Sequence, residues 1–215
     1  MKIAVLGTGT AGRTLAPALA ALGHDVSVGT RDPHDTARRE DWTGAVADLA
    51  LRPYDTVAEG ADLVVNATNG QGSLAALAAV GSDRLAGTVL LDIANPLDFS
   101  AGFPPTLSVK DTDSLAEQIA RAFPEARVVK ALNTVTASVM VDPGLVGAGD
   151  TTVFVASDHA DARALVIELL EQLGWRDVVE FEELSAARGL EMYLALWVRL
   201  MGRLGTAAFN VKLVR

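Results

Sequence analysis

Six residues near the start of the chain carry its densest chemical signal: Gly7-Thr8-Gly9-Thr10-Ala11-Gly12. A G-x-G-x-x-G spacing offers backbone amides to an anion, not side-chain acids or nucleophiles. Gly7 permits a tight turn. Gly9 leaves room for a diphosphate to approach the main chain, and Gly12 lets a helix pack closely on a strand. Thr8 and Thr10 add hydroxyl donors. Context gives the motif its weight. The apolar run Ile3–Leu6 precedes it and a helical pattern from Thr10 to Leu22 follows, which places it at a strand-to-helix turn.

The end of the next apolar run reads Val28-Gly29-Thr30-Arg31-Asp32. In NAD-dependent proteins this position, about 20 residues past the glycines, usually holds a carboxylate for the ribose hydroxyls. Here Thr30 offers a hydroxyl and Arg31 a planar cation suited to phosphate. The reading is NADP(H) over NAD(H), with Arg31 as a solvated partner of Asp32 as the alternative. Three later loops follow apolar runs: Asn66-Ala67-Thr68-Asn69-Gly70, Asp92-Ile93-Ala94-Asn95-Pro96, and Lys130-Ala131-Leu132-Asn133-Thr134. Ligands of open parallel sheets bind at such strand ends. Thr68 and Asn69 are expected along the adenosine or ribose path, and Asn95, Pro96, Asn133 and Thr134 near the nicotinamide. For any one of these asparagines, ordinary turn chemistry is an equal alternative.

Hydride transfer to or from a small molecule needs no acid–base set, because the cofactors carry the chemistry. No catalytic side chain is assigned. The three histidines are scattered through the chain, and no His/Asp/Glu group shows metal-ligand spacing.

The elements that must position these residues alternate. Ile3–Leu6, Val26–Val28, Leu63–Val65, Val89–Ile93 and Val128–Ala131 read as buried strands, with a further short run near Leu49–Leu51. Ser73–Val80 and a helix opened by the Ser114/Glu117 capping box lie between them, the latter stopped by Pro124. This rhythm predicts an α/β fold: a Rossmann-type, doubly wound, mainly parallel sheet with a small α/β C-terminal portion. Residues 1–147 form the NADP-binding domain, and residues 148–215 complete the second-substrate cleft. That later part is expected to hold a strand at Thr151–Ala156, a helix capped by Asp158, a strand at Val178–Phe181, one long helix from Ser185 to Leu204 and an extended apolar tail over Phe209–Val214. Pro17 falls inside the first helix, where a proline costs about 3 kcal/mol.

Composition narrows the function classes. The 215 residues are half hydrophobic, with a net charge of −9 and no basic run, which argues against nucleic acid and anionic membranes as partners. There is no cysteine, which fits a reducing cytoplasm and excludes thiol chemistry.

With these residues placed, the whole chain resembles the NADPH-dependent coenzyme F420 reductases. The resemblance is carried by Met1–Gly12, Gly29-Thr30-Arg31, Leu63–Thr68, Asn133-Thr134, Leu184–Arg188 and Asn210-Val211-Lys212. It implies NADP held by Thr8, Gly9, Thr10, Ala11, Thr30 and Arg31, a deazaflavin (coenzyme F420) stacked on the nicotinamide, and a homodimer. Asn133 and Asn69-Gly70 depart from the archaeal pattern near the expected cleft. Another small acceptor, such as a flavin or an imine, or a non-catalytic NADP(H) sensor therefore stays open.

Overall fold

Residues 3–6 form the buried part of an interior strand because they are apolar on both faces, as a parallel strand between two helix layers must be. Ile3 and Val5 face one core of 29 buried residues, while Ala4 and Leu6 face another of 18 on the opposite side of the sheet. The computed structural model describes all residues from Met1 to Arg215. In chain order the strands are β1 Lys2–Leu6, β2 Asp25–Thr30, β3 Ala50–Pro53, β4 Leu63–Asn66, β5 Val89–Asp92, β6 Leu97–Asp98, β7 Thr106–Leu107, β8 Arg127–Ala131, β9 Thr152–Ala156 and β10 Asp177–Phe181. The α-helices are α1 Thr10–Ala21, α2 Pro33–Ala37, α3 Tyr54–Val57, α4 Ser73–Val80, α5 Ser82–Leu85, α6 Leu115–Ala122, α7 Ala137–Val141, α8 Ala160–Gln172, α9 Ala187–Met192 and α10 Leu194–Leu204.

Eight strands form one sheet in the order β10-β9-β8-β5-β4-β1-β2-β3, and β6 and β7 form a separate small ribbon. All neighbours in the large sheet run parallel except β8 and β9. The strand order reverses at β1, between β4 and β2, so the crevice expected of an open doubly wound sheet lies at the carboxyl ends of β1 and β4. β9 and β10, from the C-terminal portion, extend this same sheet beyond β8. No helix is long and apolar enough to cross a membrane.

Local expectations and structure differ at four places. Most strands reach one or two residues further than their apolar runs, since polar ends such as Thr30 and Asn66 still pair in the ladder, whereas β5 stops one residue short of Ile93 and β9 starts one residue after Thr151. Asp158 does not cap α8. Its carboxylate accepts from the Leu184 amide at 2.8 Å, and His159 stands at the cap position instead. The long C-terminal helix is interrupted at Tyr193, between α9 and α10. The Leu190 carbonyl, which would accept from Leu194 in an unbroken helix, accepts from the Asn133 side chain at 3.0 Å, and Leu196 bonds back three residues to Tyr193. The tail is stitched to Thr152 without forming a strand: the Thr152 amide donates to the Val211 carbonyl, and the Leu213 amide donates to the Thr152 hydroxyl. Helix α1 runs on through Pro17, and nothing in the structure explains the proline.

Candidate functional site

The three glycines of the turn after β1 are required for three different reasons. Gly7 has φ +114°, and a Cβ there would sit 2.6 Å from the Ala67 carbonyl oxygen. Gly12 lies in α1 against the turn, and its Cβ would meet the Gly7 oxygen at 2.0 Å. A Cβ on Gly9 would meet nothing within 4 Å. Gly7 and Gly12 serve packing, and only Gly9 leaves the backbone open to a visitor. Gly9 is the cap residue of α1, and no side chain caps that helix. Its leading amides therefore face outward, with the positive end of a 12-residue helix behind them.

A groove of about 930 Å³ begins at this turn and runs over the end of β2. It brings together seven of the residues expected from sequence: Gly7, Thr8, Gly9, Thr30, Arg31, Thr68 and Asn69. Thr10 lines a smaller adjoining cavity with Arg13 and Asp41, while Ala11 and the buried Gly12 belong to the helix below. Arg31 is exposed and forms no ion pair, not even with Asp32. The Asp32 carboxylate caps α2, accepting from the Asp35 amide at 2.9 Å, and this bond holds its pKa below the usual value. The carboxylate that would repel a 2′-phosphate is thus engaged by the helix. Thr30 is buried, with its hydroxyl 2.8 Å from that of Thr36, which itself donates to the Asp32 carbonyl. Asp32, His34 and Asp35 stand close enough to share an ion, a grouping not anticipated from their spacing. All three are exposed, and the arrangement is that of a helix cap with Asp35 paired to Arg38 at 2.6 Å.

The loops after β5 and β8 lie outside that groove. The Asn95 side chain donates to the Asn133 carbonyl at 2.8 Å, and the Asn133 side chain donates to Asn95 Oδ1 at 2.9 Å and to the Leu190 carbonyl at 3.0 Å. Asn133 and Thr134 are buried. Pro96 is buried as well, and the Asn69-Gly70 loop presses on it so closely that a Cβ on Gly70 would lie 2.1 Å from the Asn95 oxygen. These residues clamp β5, β8 and α9 together at the carboxyl edge of the sheet.

Beneath them lies a buried ionic centre. Lys130 Nζ is 2.8 Å from Asp92 and 2.9 Å from Glu191, with Lys130 and Asp92 wholly inaccessible and Glu191 nearly so. Asp92 also accepts from Asn66 at 2.8 Å, and Asn66 accepts from the Thr68 hydroxyl at 2.6 Å, so the chain of bonds reaches the groove. Glu191 accepts from the amides of Leu115 and Ala116 at the start of α6, at 2.8 and 3.2 Å. Burial opposes the charge on Lys130, but its two carboxylate neighbours outweigh burial and raise its pKa, so the ammonium persists. Glu191 is pushed up, first by burial and further by Asp92, against the pull of Lys130.

Two parts of the site escaped the sequence reading. One is Arg39, whose guanidinium donates to the Thr8 hydroxyl at 2.7 Å. The other is the Lys130 centre, whose only sequence signal is a charged residue inside each of several apolar stretches.

A mainly parallel sheet in this order, with an uncapped first helix above a glycine turn, is a Rossmann-type architecture. The chain belongs to the family of F420-dependent NADP oxidoreductases. The model of that family, described as NADP oxidoreductase coenzyme F420-dependent, matches residues 2–96. The F420-dependent NADP reductase of Methanothermobacter marburgensis is 32% identical over 209 residues, covering 93% of this chain and 92% of that protein. A crystal structure from Arthrobacter sp. FB24, provisionally assigned as an F420-dependent NADP-reductase, is 56% identical, covers both chains completely and superposes with a TM-score of 0.97. A reductive aminase from Aspergillus terreus, solved with NADPH and ethyl levulinate, shares the fold at 16% identity and a TM-score of 0.65, over 95% of this chain and 62% of that one.

Proposed function

We propose that the protein passes a hydride between NADP(H) and the deazaflavin coenzyme F420. The observation that carries this reading is the groove itself: outward-facing amides of α1 at one end, the unpaired Arg31 at the other, and family membership along the whole length. When bound, the nicotinamide supplies the hydride chemistry. The protein supplies position. Gly9 and the amides that follow it hold the diphosphate, while Thr8, Thr30 and Arg31 hold the ribose phosphate. Thr68 and Asn69 line the path of the adenosine half. Asn95, Pro96, Asn133 and Thr134 form a floor for the nicotinamide, which the two hydrogen bonds between Asn95 and Asn133 make rigid. Residues 148–215 close the second-substrate side by way of α9, which Asn133 grips.

The same reading takes the working unit as a homodimer. Its support is the exposed apolar surface of α10 and the tail at Leu196, Leu204, Leu213 and Val214.

A turnover screen tests the function. Purified protein with NADPH is offered oxidised F420 and, separately, FMN, riboflavin and a cyclic imine. Rapid NADPH loss with the deazaflavin alone is the expected result. Turnover confined to another acceptor, or tight binding with no turnover at all, contradicts it.

A further inference from the structure

We propose that Arg39 is the second jaw of the 2′-phosphate pocket, facing Arg31, and that it sets the preference for NADP(H) over NAD(H); the inference rests on the NADP(H) reading above. Arg39 belongs to no motif and lies beyond α2, yet it reaches back to the glycine turn. One Nη donates to the Thr8 hydroxyl at 2.7 Å and the other to the Thr8 carbonyl at 3.1 Å. Asp41 holds the opposite edge of the fork through two bonds, at 2.9 and 2.7 Å, and raises its pKa. Asp41 is itself pinned to α1 by Arg13, at 2.9 Å. The fork is therefore fixed before any ligand arrives.

Its donors are not exhausted. A guanidinium has five N–H groups, and these contacts use four of them. The remaining one is on the nitrogen beside the Thr8 hydroxyl. The side chain is 38% exposed and lines the groove together with Arg31 and Thr30.

The turn also sorts anions into two positions. In a trans peptide the C=O and N–H point in opposite directions. With the Thr8 carbonyl turned to Arg39, the Gly9 amide points away from Arg39. The turn thus offers amides on one side and a guanidinium on the other. NADP(H) carries two separate phosphate groups to match, a diphosphate and a 2′-phosphate, whereas NAD(H) lacks the second. Two of the nearby carboxylates face partners of their own: Asp32 accepts from the Asp35 amide and Asp35 pairs with Arg38.

Calorimetric titration of the full chain with NADPH and NADH tests this. R39L should weaken NADPH about 10- to 100-fold, the range of one charge-assisted hydrogen bond, and leave NADH within about twofold. R39K keeps the charge but loses the fork, so it should fall between wild type and R39L. It carries the same test should R39L not fold. Equal weakening of both nucleotides would make Arg39 a mere prop of the turn and overturn the proposal. A wild type that prefers NADPH, with variants that keep the preference in full, overturns this proposal alone. A wild type that binds both nucleotides equally overturns the NADP(H) reading and this inference with it.

Discussion

At the carboxyl end of β1 the chain leaves polar groups open to a ligand, whereas at the carboxyl ends of β5 and β8 it engages them with one another. The first region has the uncapped amides of α1 and an unpaired arginine at the surface. The second has Lys130, Asp92 and Glu191 wholly or nearly excluded from water, with Asn95 and Asn133 bonded to each other above them. Both belong to one sheet edge and are linked through Thr68, Asn66 and Asp92. The groove holds binding capacity and contributes little to folding. The buried centre holds folding and placement, and offers little to a ligand. Substitutions in the two regions should therefore fail in different assays.

The largest effect is expected in the centre. K130M leaves two buried carboxylates without their cation, which costs about 3–5 kcal/mol. Urea denaturation should show that loss, whereas R31L, at an exposed unpaired position, should stay within about 0.5 kcal/mol of wild type. Equal stability of the two variants would erase the contrast. Because the Lys130 pKa is raised in the fold, its contribution is present at neutral pH and fades only as pH rises through the folded value.

Gly9 and Gly12, at the turn after β1, should separate next. G12A drives a methyl to 2.0 Å from the Gly7 oxygen, and about 1–3 kcal/mol of destabilisation follows. G9A meets nothing within 4 Å and has an ordinary φ of −78°, so its melting temperature should hold while NADPH affinity falls by about tenfold or more. Thermal melts and titrations on the same two samples check both halves.

The smallest effect lies away from both regions. Asp177 ties β10 to the tail, accepting from Thr152, Lys212 and Arg215, and these bonds hold its pKa at about 2, below the ordinary 3.8. A depressed carboxyl stabilises above its ordinary value and loses that contribution as pH falls through about 2. D177N should flatten the acid limb of a melting-temperature profile below about pH 4 and leave NADPH affinity unchanged.

What the sequence made legible follows the same contrast. The turn and the strands were readable because each rests on contiguous residues, so spacing alone reports their geometry. The different needs of Gly7, Gly9 and Gly12 for turn, approach and packing match the contacts found at each. Arg39 was not readable, because its partner Thr8 lies across α1 and β2. The ionic centre draws Asp92, Lys130 and Glu191 from β5, β8 and α9, and no local pattern joins them. Lys130 within the run Val128–Ala131 was the available sign, since a lysine in a buried strand needs a carboxylate. The break at Tyr193 was hidden for a similar reason: the group that takes the Leu190 carbonyl is the side chain of Asn133 on a distant loop.

The central claim is that the open end of this sheet edge grips a 2′-phosphorylated dinucleotide by way of Arg31. Titrating NADPH and NADH into wild type and R31E tests it most directly. The account predicts that wild type binds NADPH about tenfold or more tighter than NADH, and that R31E abolishes this margin by weakening NADPH while sparing NADH. Equal affinities in wild type, or parallel losses for both nucleotides in R31E, would contradict it.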